Sequence, residues 1–374
     1  MTLLCQYGET YMSTKRVLLI GPLPPPIGGD TVLTRNVFRS RFWGQHGITL
    51  DCIDTSAGDR VRLPDEPFTL RDALRGTRIL IEVVAKLPRC GAVLLWANSR
   101  FIVTEGVAII LLCRASRKPI FVKVFGAYLA RRILRMPWAS RKLVLLALSK
   151  AVDILPETET LARELVEECW IPVQRVRVLS SFLPDGSFGD SGGPRRFSGR
   201  CVFFGQVKRE KGVFDIVDAI GGRANVSCDF YGPLLERDRE DFLGAISRNR
   251  NLSYRGAVEP GAVSRAATAY DVLLLPTYHQ GEGHPAVVLE AFAAGIPVIA
   301  TDWLSLPEIV EHGVRGLLVP VRSPDRIREA IETLGADERL YESMRRNAKV
   351  YVQSFSESAV LGEILVPRVA EVLK

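Results

Sequence analysis

The sequence contains no pair of aspartates separated by one residue, no Cys-x-x-Cys, and no uninterrupted apolar run of the roughly 18 residues that a membrane span needs. The first absence removes an acidic pair that could clamp a divalent cation onto a diphosphate. The second removes a zinc clip or dithiol motif, and the seven cysteines (5, 52, 90, 113, 169, 201 and 228) are scattered and odd in number, which points to free thiols in a reducing compartment. Histidine is scarce as well: the four (46, 279, 284 and 312) show no ligand spacing, so no metal site is expected. The most apolar stretch, residues 101–113, is interrupted by Thr104 and Glu105 and stopped by Arg114, so it reads as a buried helix. Asn225 and Asn251 open Asn-x-Ser triplets, but the first fifteen residues carry Glu9 and no long apolar core. The triplets therefore read as coincidental and the chain as cytoplasmic. Met12-Ser13-Thr14-Lys15, directly before the first apolar run, marks residues 1–11 as an upstream extension without a structural role.

What is present is the material of a two-domain enzyme: 374 residues, 47% hydrophobic and 24% charged, enough for two separate cores. The formal net charge of +7 is lopsided, with +8 in residues 1–190 and −1 in the remainder. The densest basic stretch holds Arg131, Arg132, Arg135, Trp138, Arg141 and Lys142 between apolar residues. Such a segment suits an anionic membrane face, by charge and apolar anchoring; the alternative is an amphipathic core helix with a solvated basic edge. No reading motif or aromatic platform points to nucleic acid.

Short apolar runs alternate with helix-length segments, the βαβ rhythm of doubly wound sheets. Strands are predicted near residues 16–20, 48–53, 92–96, 120–124, 152–155 and 176–179. Turn formers at 184–194 then break the pattern. A second series follows at 201–204, 226–231, 252–254, 271–275, 298–300 and 316–319. This gives an N-terminal domain over 1–184, a linker over 185–199, a C-terminal domain over 200–356 and a last helix, 357–374, packing back on the first domain.

Chemistry concentrates in Gly281-Glu282-Gly283-His284-Pro285-Ala286-Val287-Val288-Leu289-Glu290, followed by a helix with Ala293-Ala294-Gly295 near its end. Eight residues separate the carboxylates, so Glu282 falls in the loop and Glu290 inside the helix. That spacing suits a long polar ligand laid across a helix N-terminus, with phosphates on the free N–H groups and a diol on Glu290.

On this block the chain resembles the retaining glycosyltransferases of family 4, with their Glu-x7-Glu motif. The resemblance implies an α/β GT-B fold: two Rossmann-like, doubly wound domains facing a cleft. It further implies Glu282 beside the donor sugar, Glu290 on the ribose hydroxyls, and the amides of Gly283, His284, Ala286 and Val287 along the diphosphate. Three other loops resemble the family. Gly28-Gly29 after the first strand matches its glycine loop, and Gly256-Ala257-Val258 its base-contacting loop, with Val258 toward the nucleotide. Phe204-Gly205-Gln206-Val207-Lys208-Arg209-Glu210-Lys211-Gly212 matches the Gly-Arg...Glu-Lys-Gly loop. Lys211 stands for the family's Lys as a catalytic cation, while Gln206 replaces its Arg, leaving Lys208 or Arg209 to compensate.

The implied reaction is metal-independent transfer of a sugar, with retention, from a nucleotide-sugar to a sugar or lipid-linked acceptor in polysaccharide or glycolipid synthesis. No cofactor is expected. Two replacements depart from the family: Phe125-Gly126 for its His-Gly, and Ser180-Ser181 for its Pro-Asn. They support a second reading, a donor-binding inactive homologue serving as a membrane-associated partner subunit. A third, a sugar-nucleotide epimerase, needs acid/base residues that the surroundings of Phe125 do not offer.

Overall fold

The structure is a computed structural model and describes residues 15–56, 69–188, 195–259 and 261–374. Residues 1–11, the Met12-Ser13-Thr14 run and part of the expected linker, 189–194, lie outside them.

The first sheet comprises β1 (Lys15–Gly21), β2 (Ile48–Asp54), β3 (Ala92–Asn98), β4 (Ile120–Phe125) and β5 (Asp153–Leu155), in the order β2-β1-β3-β4-β5. The second comprises β6 (Arg200–Phe204), β7 (Ser227–Tyr231), β8 (Leu252–Gly256), β9 (Val272–Leu275), β10 (Val298–Thr301) and β11 (Gly316–Val319), in the order β11-β10-β9-β6-β7-β8. All pairings are parallel. The expectation of two Rossmann-like doubly wound domains therefore holds. The central strands, such as β3 and β9, are buried along nearly their whole length because both faces are covered, while the edge strands β2 and β8 carry polar, partly exposed residues.

Period-2 alternation divides the first domain into two cores. Leu18, Ile20, Val93 and Leu95 face one side of the sheet with the helices Leu70–Lys86, Val107–Ala115 and Trp138–Leu148. Val17, Leu19, Leu94 and Trp96 face the other. The chain end completes that second layer: after Phe355 it continues through Ser358–Leu365 and Val366–Val372, burying Val360, Leu361, Leu365, Val366 and Val369 there. Arg368 fixes it to the buried Asp153 of β5 at 2.9 Å.

One predicted strand does not form. Residues 176–179 run beside β5, with Arg177 N–H donating to Ile154 at 3.0 Å and Leu179 N–H to Pro156 at 2.9 Å. The pairing amounts to a single bridge, Ile154 to Val176. Pro156 has no N–H to return the next ladder bond, so the strand stops before it starts. The apolar stretch 101–113 is helical as expected, with a π-helical turn at Ile102–Gly106 leading into Val107–Ala115. No described helix is long and apolar enough to cross a membrane. Asn251 spends its side chain on the carbonyls of Ile220 and Val226 and the N–H of Gly222, which removes it as a modification acceptor.

Leu361→Ala should cost about 2 to 5 kcal/mol, the usual range for a fully buried leucine. Urea denaturation followed by Trp fluorescence checks this, since Trp43 and Trp96 lie in the same core; a loss well under about 1 kcal/mol would mean the chain end is not part of it.

Candidate functional site at the facing strand ends

Loops at the carboxyl ends of both sheets meet, and the second domain contributes most of the charge. Glu282 is 5% exposed, with both oxygens on Lys211 Nζ, at 2.9 and 2.6 Å. Thr277 Oγ1 adds a third donor at 2.8 Å. Burial pushes the Glu282 carboxyl up, but Lys211, His279 and Thr277 together outweigh it and hold it below the ordinary value.

The segment Lys208–Gly212 is pinned beneath this pair. Gly212 adopts φ +73°, and a Cβ there would stand 2.1 Å from the Pro276 carbonyl oxygen, so only glycine lets the loop lie against the end of β9. Tyr278 N–H bonds Glu210 O at 2.9 Å from the other side. Of the two cations that could replace the missing arginine, the geometry selects one. Arg209 points away, paired with Asp241 at 3.2 Å and stacked over Phe214 at 4.1 Å. Lys208 turns inward and is buried; desolvation, with Lys211 nearby, brings it down to about 8. The same burial and the same two lysines lower His279 to about 4, so its ring is neutral. Gln206 is half-buried, and among the described residues its side chain makes no hydrogen bond.

Glu282-Gly283-His284 runs into Pro285, which is the N-cap of the helix Ala286–Ala293 and not its first residue. Ala286 and Val287, in the first turn, have no helical acceptor for their N–H groups. Glu290 lies one turn further in, half-buried; burial alone raises it to about 8, and no described residue bonds or pairs with its carboxyl. His284 is buried against Phe355 with ring centroids 5.0 Å apart, and its Nδ1 has no partner. Burial, reinforced by Lys123, lowers it to about 3.

The remaining predicted residues are dispersed. Gly28 and Gly29 begin the helix Gly29–Arg39 after β1, and no described hydrogen bond links them to the second domain. Val258 packs partly into the second core beside β8. Phe125 is 8% exposed, in the first domain's apolar layer, so it acts as packing where the family has a polar side chain. Sequence reasoning missed Glu157 and Lys123, both buried at the same domain junction, and took Ser181 only as a family residue replaced, whereas its hydroxyl donates to the His284 carbonyl at 2.8 Å.

Glu290→Gln offers a check by pH. A carboxyl raised above its unfolded value destabilises the fold once pH climbs past that unfolded value, and fully so above the folded one. The variant should therefore melt higher than the parent at pH 8 and nearly with it at pH 4. Equal melting temperatures at both would mean that Glu290 is not desolvated.

With this geometry in hand, comparison with known proteins is informative. A model of the glycosyl transferases group 1 family matches residues 199–351. Over 228 residues the chain is 25% identical to an alpha-D-kanosaminyltransferase of Streptomyces kanamyceticus, covering 56% of this chain and 57% of that one. It is 34% identical over 140 residues to a D-inositol 3-phosphate glycosyltransferase of Corynebacterium glutamicum, 37% and 31% of the two chains. A shorter match, 46% over 76 residues, is to an exopolysaccharide phosphotransferase of Streptomyces coelicolor, 20% of this chain and 8% of that one. The chain thus spans between 8% and 57% of the length of these relatives. In structure it superposes on Anabaena Alr3699/HepE, solved in complex with UDP, with TM-score 0.70 and 15% identity over 96% of this chain and 99% of the other. The chain has the GT-B fold, and residues 199–351 match the glycosyl transferases group 1 family model.

Proposed function

We propose that the protein is a retaining glycosyltransferase of family 4 that moves a sugar from a nucleotide-sugar to an acceptor hydroxyl without a metal ion. The observation that carries the reading is the buried Lys211–Glu282 pair beside the open N-terminus of the helix that bears Glu290. Departure of a nucleoside diphosphate is the difficult step, so the site needs positive charge and N–H dipoles more than a strong nucleophile. Lys211, Lys208 and the amides of Ala286 and Val287 supply them. An ammonium has three donors, so Lys211 can keep its two bonds to Glu282 and donate the third to a phosphate oxygen. Glu282 fixes Lys211 and faces the sugar, Glu290 takes the ribose diol, Val258 meets the base, and Gly28, Gly29, Gly283 and the neutral His284 line the remainder. Gln206 is a polar neighbour of the phosphates. The donor class accords with the glycosyltransferases among the relatives and with the UDP bound to HepE.

In this reading residues 200–356 bind the donor, and residues 1–184 with 357–374 bind the acceptor, a sugar or a lipid-linked glycan of cell-surface polysaccharide or glycolipid synthesis. A surface observation supports the lipid-linked form. Trp138 is 73% exposed, and Leu143 and Leu146 about half, on one helix with Lys142. The helix Val107–Ala115 packs between it and Leu70–Lys86, which exposes Leu74, Ile81 and Val84 as well. Arg131 pairs with Glu164 at 3.5 Å, while Arg132 and Arg135 lie over Tyr128. This face fits a cytoplasmic enzyme held at the inner surface of the plasma membrane. The buried Phe125 favours the second reading, an inactive donor-binding partner subunit, should no transfer be found.

A panel of nucleotide-sugars tested by thermal shift should give one donor that raises the melting temperature equally with and without EDTA. At a hundred times its dissociation constant that donor contributes about 2.7 kcal/mol. Lys211→Ala should then abolish transfer, and Glu290→Ala should weaken nucleotide binding near pH 7 by about 0.5 to 1.5 kcal/mol, the range for a hydrogen bond to a neutral carboxyl. Binding without transfer in the parent would select the partner-subunit reading, and no binding at all would overturn both. Sedimentation with anionic vesicles should drop when Arg135, Trp138, Arg141 and Lys142 are replaced together by Glu, Ala, Glu and Glu; unchanged sedimentation would remove the membrane face.

A further inference from the structure

Glu157 belongs to the first domain yet touches the loop that carries Glu282. It follows Pro156 at the end of β5 and is 5% exposed. Its Oε2 accepts the N–H of Gly126, in the turn after β4, at 2.8 Å, and the N–H of His284, across the domain junction and 127 residues away in sequence, at 3.4 Å. Ser181 Oγ lies 3.2 Å from Oε1 and 2.8 Å from the His284 carbonyl, so its one hydrogen serves either side. Gly283 rests directly on the carboxylate: a Cβ there would come within 2.2 Å of Oε2 and 2.7 Å of Gly126 Cα. Gly126 in turn adopts φ +75°, and a Cβ on it would meet the Gly281 carbonyl oxygen at 2.8 Å. Loop and turn are fitted around one acidic group.

A buried carboxylate is costly unless it is compensated, and here the compensation is buried as well. Lys123 of β4 is 1% exposed and donates from Nζ to the Leu179 carbonyl. Burial brings that ammonium down to about 8, against the pull of Glu157, whose charge favours the protonated form. An apolar pair would pack this junction more cheaply, so the retained charges point to specificity of position.

A second carboxylate crosses the junction in the opposite direction. Glu308 of the second domain accepts the N–H groups of Glu159 at 2.9 Å and Thr160 at 3.0 Å, with Thr160 Oγ1 at 3.0 Å, capping the helix Glu159–Glu167. Glu308 holds the domains together without touching the loop 281–284. Glu157 does both.

We infer that Glu157 is a positioning residue: by binding the amides of Gly126 and His284 together, it sets Glu282 at its working height only when the first domain is docked on the second. The inference rests on the proposed role of Glu282 and Lys211 at the donor, while the contact itself can be tested without any donor.

Hydrogen exchange of the full-length protein, read by mass spectrometry, tests the contact. In Glu157→Gln, exchange over residues 279–285 and 124–127 should speed up by about tenfold, the loss expected for a charged acceptor replaced by a neutral one. Glu308→Gln should speed exchange at 159–162 and leave 279–285 unchanged. Kinetics with the donor found above then test the consequence: Glu157→Gln should lower kcat on the order of 10- to 100-fold, as a small misplacement does, with donor KM within about twofold. Ser181→Ala, which keeps the carboxylate, should give the same signature more weakly and serves if the Gln variant does not fold. Unchanged exchange at 279–285 in either folded variant overturns the contact. Faster exchange with unchanged kcat overturns its role in positioning. If the parent transfers no sugar, the exchange result still decides the contact, and only the functional reading fails.

Discussion

The ion pair between Lys211 and Glu282 is the interaction on which the rest of the site depends. Neither group could be left at this depth alone, since an unpaired buried charge costs several kcal/mol. The pair therefore obliges two loops to meet. The segment Lys208–Gly212 must lie flat against the end of β9, which Gly212 permits, and Thr277 must turn its hydroxyl toward the carboxylate. Thr301, at the end of β10, donates to the Thr277 carbonyl, and Trp303 Nε1 reaches the His279 carbonyl at 3.0 Å. The loop 277–284 is thereby suspended from three strand ends before any ligand arrives, which is preorganisation of the kind that electrostatic stabilisation requires.

Sheet topology decides where such a site can lie. In the second sheet β6 is flanked by β7 and β9, so the direction of winding reverses between β6 and β9. The loops that leave those strands diverge and open a crevice at their carboxyl ends. Lys208 and Lys211 follow β6, and Glu282 follows β9, so the charged pair spans that crevice. The first sheet repeats the arrangement between β1 and β3, and Gly28 and Gly29 follow β1. Two crevices of the same origin face each other without any residue having to reach far.

Much of this was legible in sequence because apolar runs and glycine-marked turns are local signals. All six strands of the second domain and five of the first coincide with predicted runs. The sixth failed for a reason that lies on its neighbour, the absent N–H of Pro156, which no inspection of residues 176–179 reveals. The choice between Lys208 and Arg209 was closed to sequence for a similar reason. Lys208 is extended at φ −154° and Arg209 opens a 3-10 turn, so consecutive cations leave the chain on different sides. Glu157 and Lys123 gave no signal at all, and Ser181 only that of a replaced family residue. Each is a single polar residue amid apolar or loop sequence, and what makes them a group is contact between strand ends and a loop up to 127 residues away.

Phe125 shows how the two kinds of information combine. From sequence it reads as a lost polar group beside the donor. In the fold it is a filled position in an apolar layer with Leu155 and Phe182, and the polar work at that junction is carried one residue on, by the N–H of Gly126 held on Glu157. A backbone amide oriented by a buried carboxylate is a fixed dipole, and it needs no side chain at 125 to present it. The replacement therefore removes a side-chain donor while the turn after β4 keeps its hold on the opposing loop. A turn that merely packed would have no need of a buried acid beneath it. The cost of burying Glu157 and Lys123 is the physical ground for the positioning role proposed for this junction.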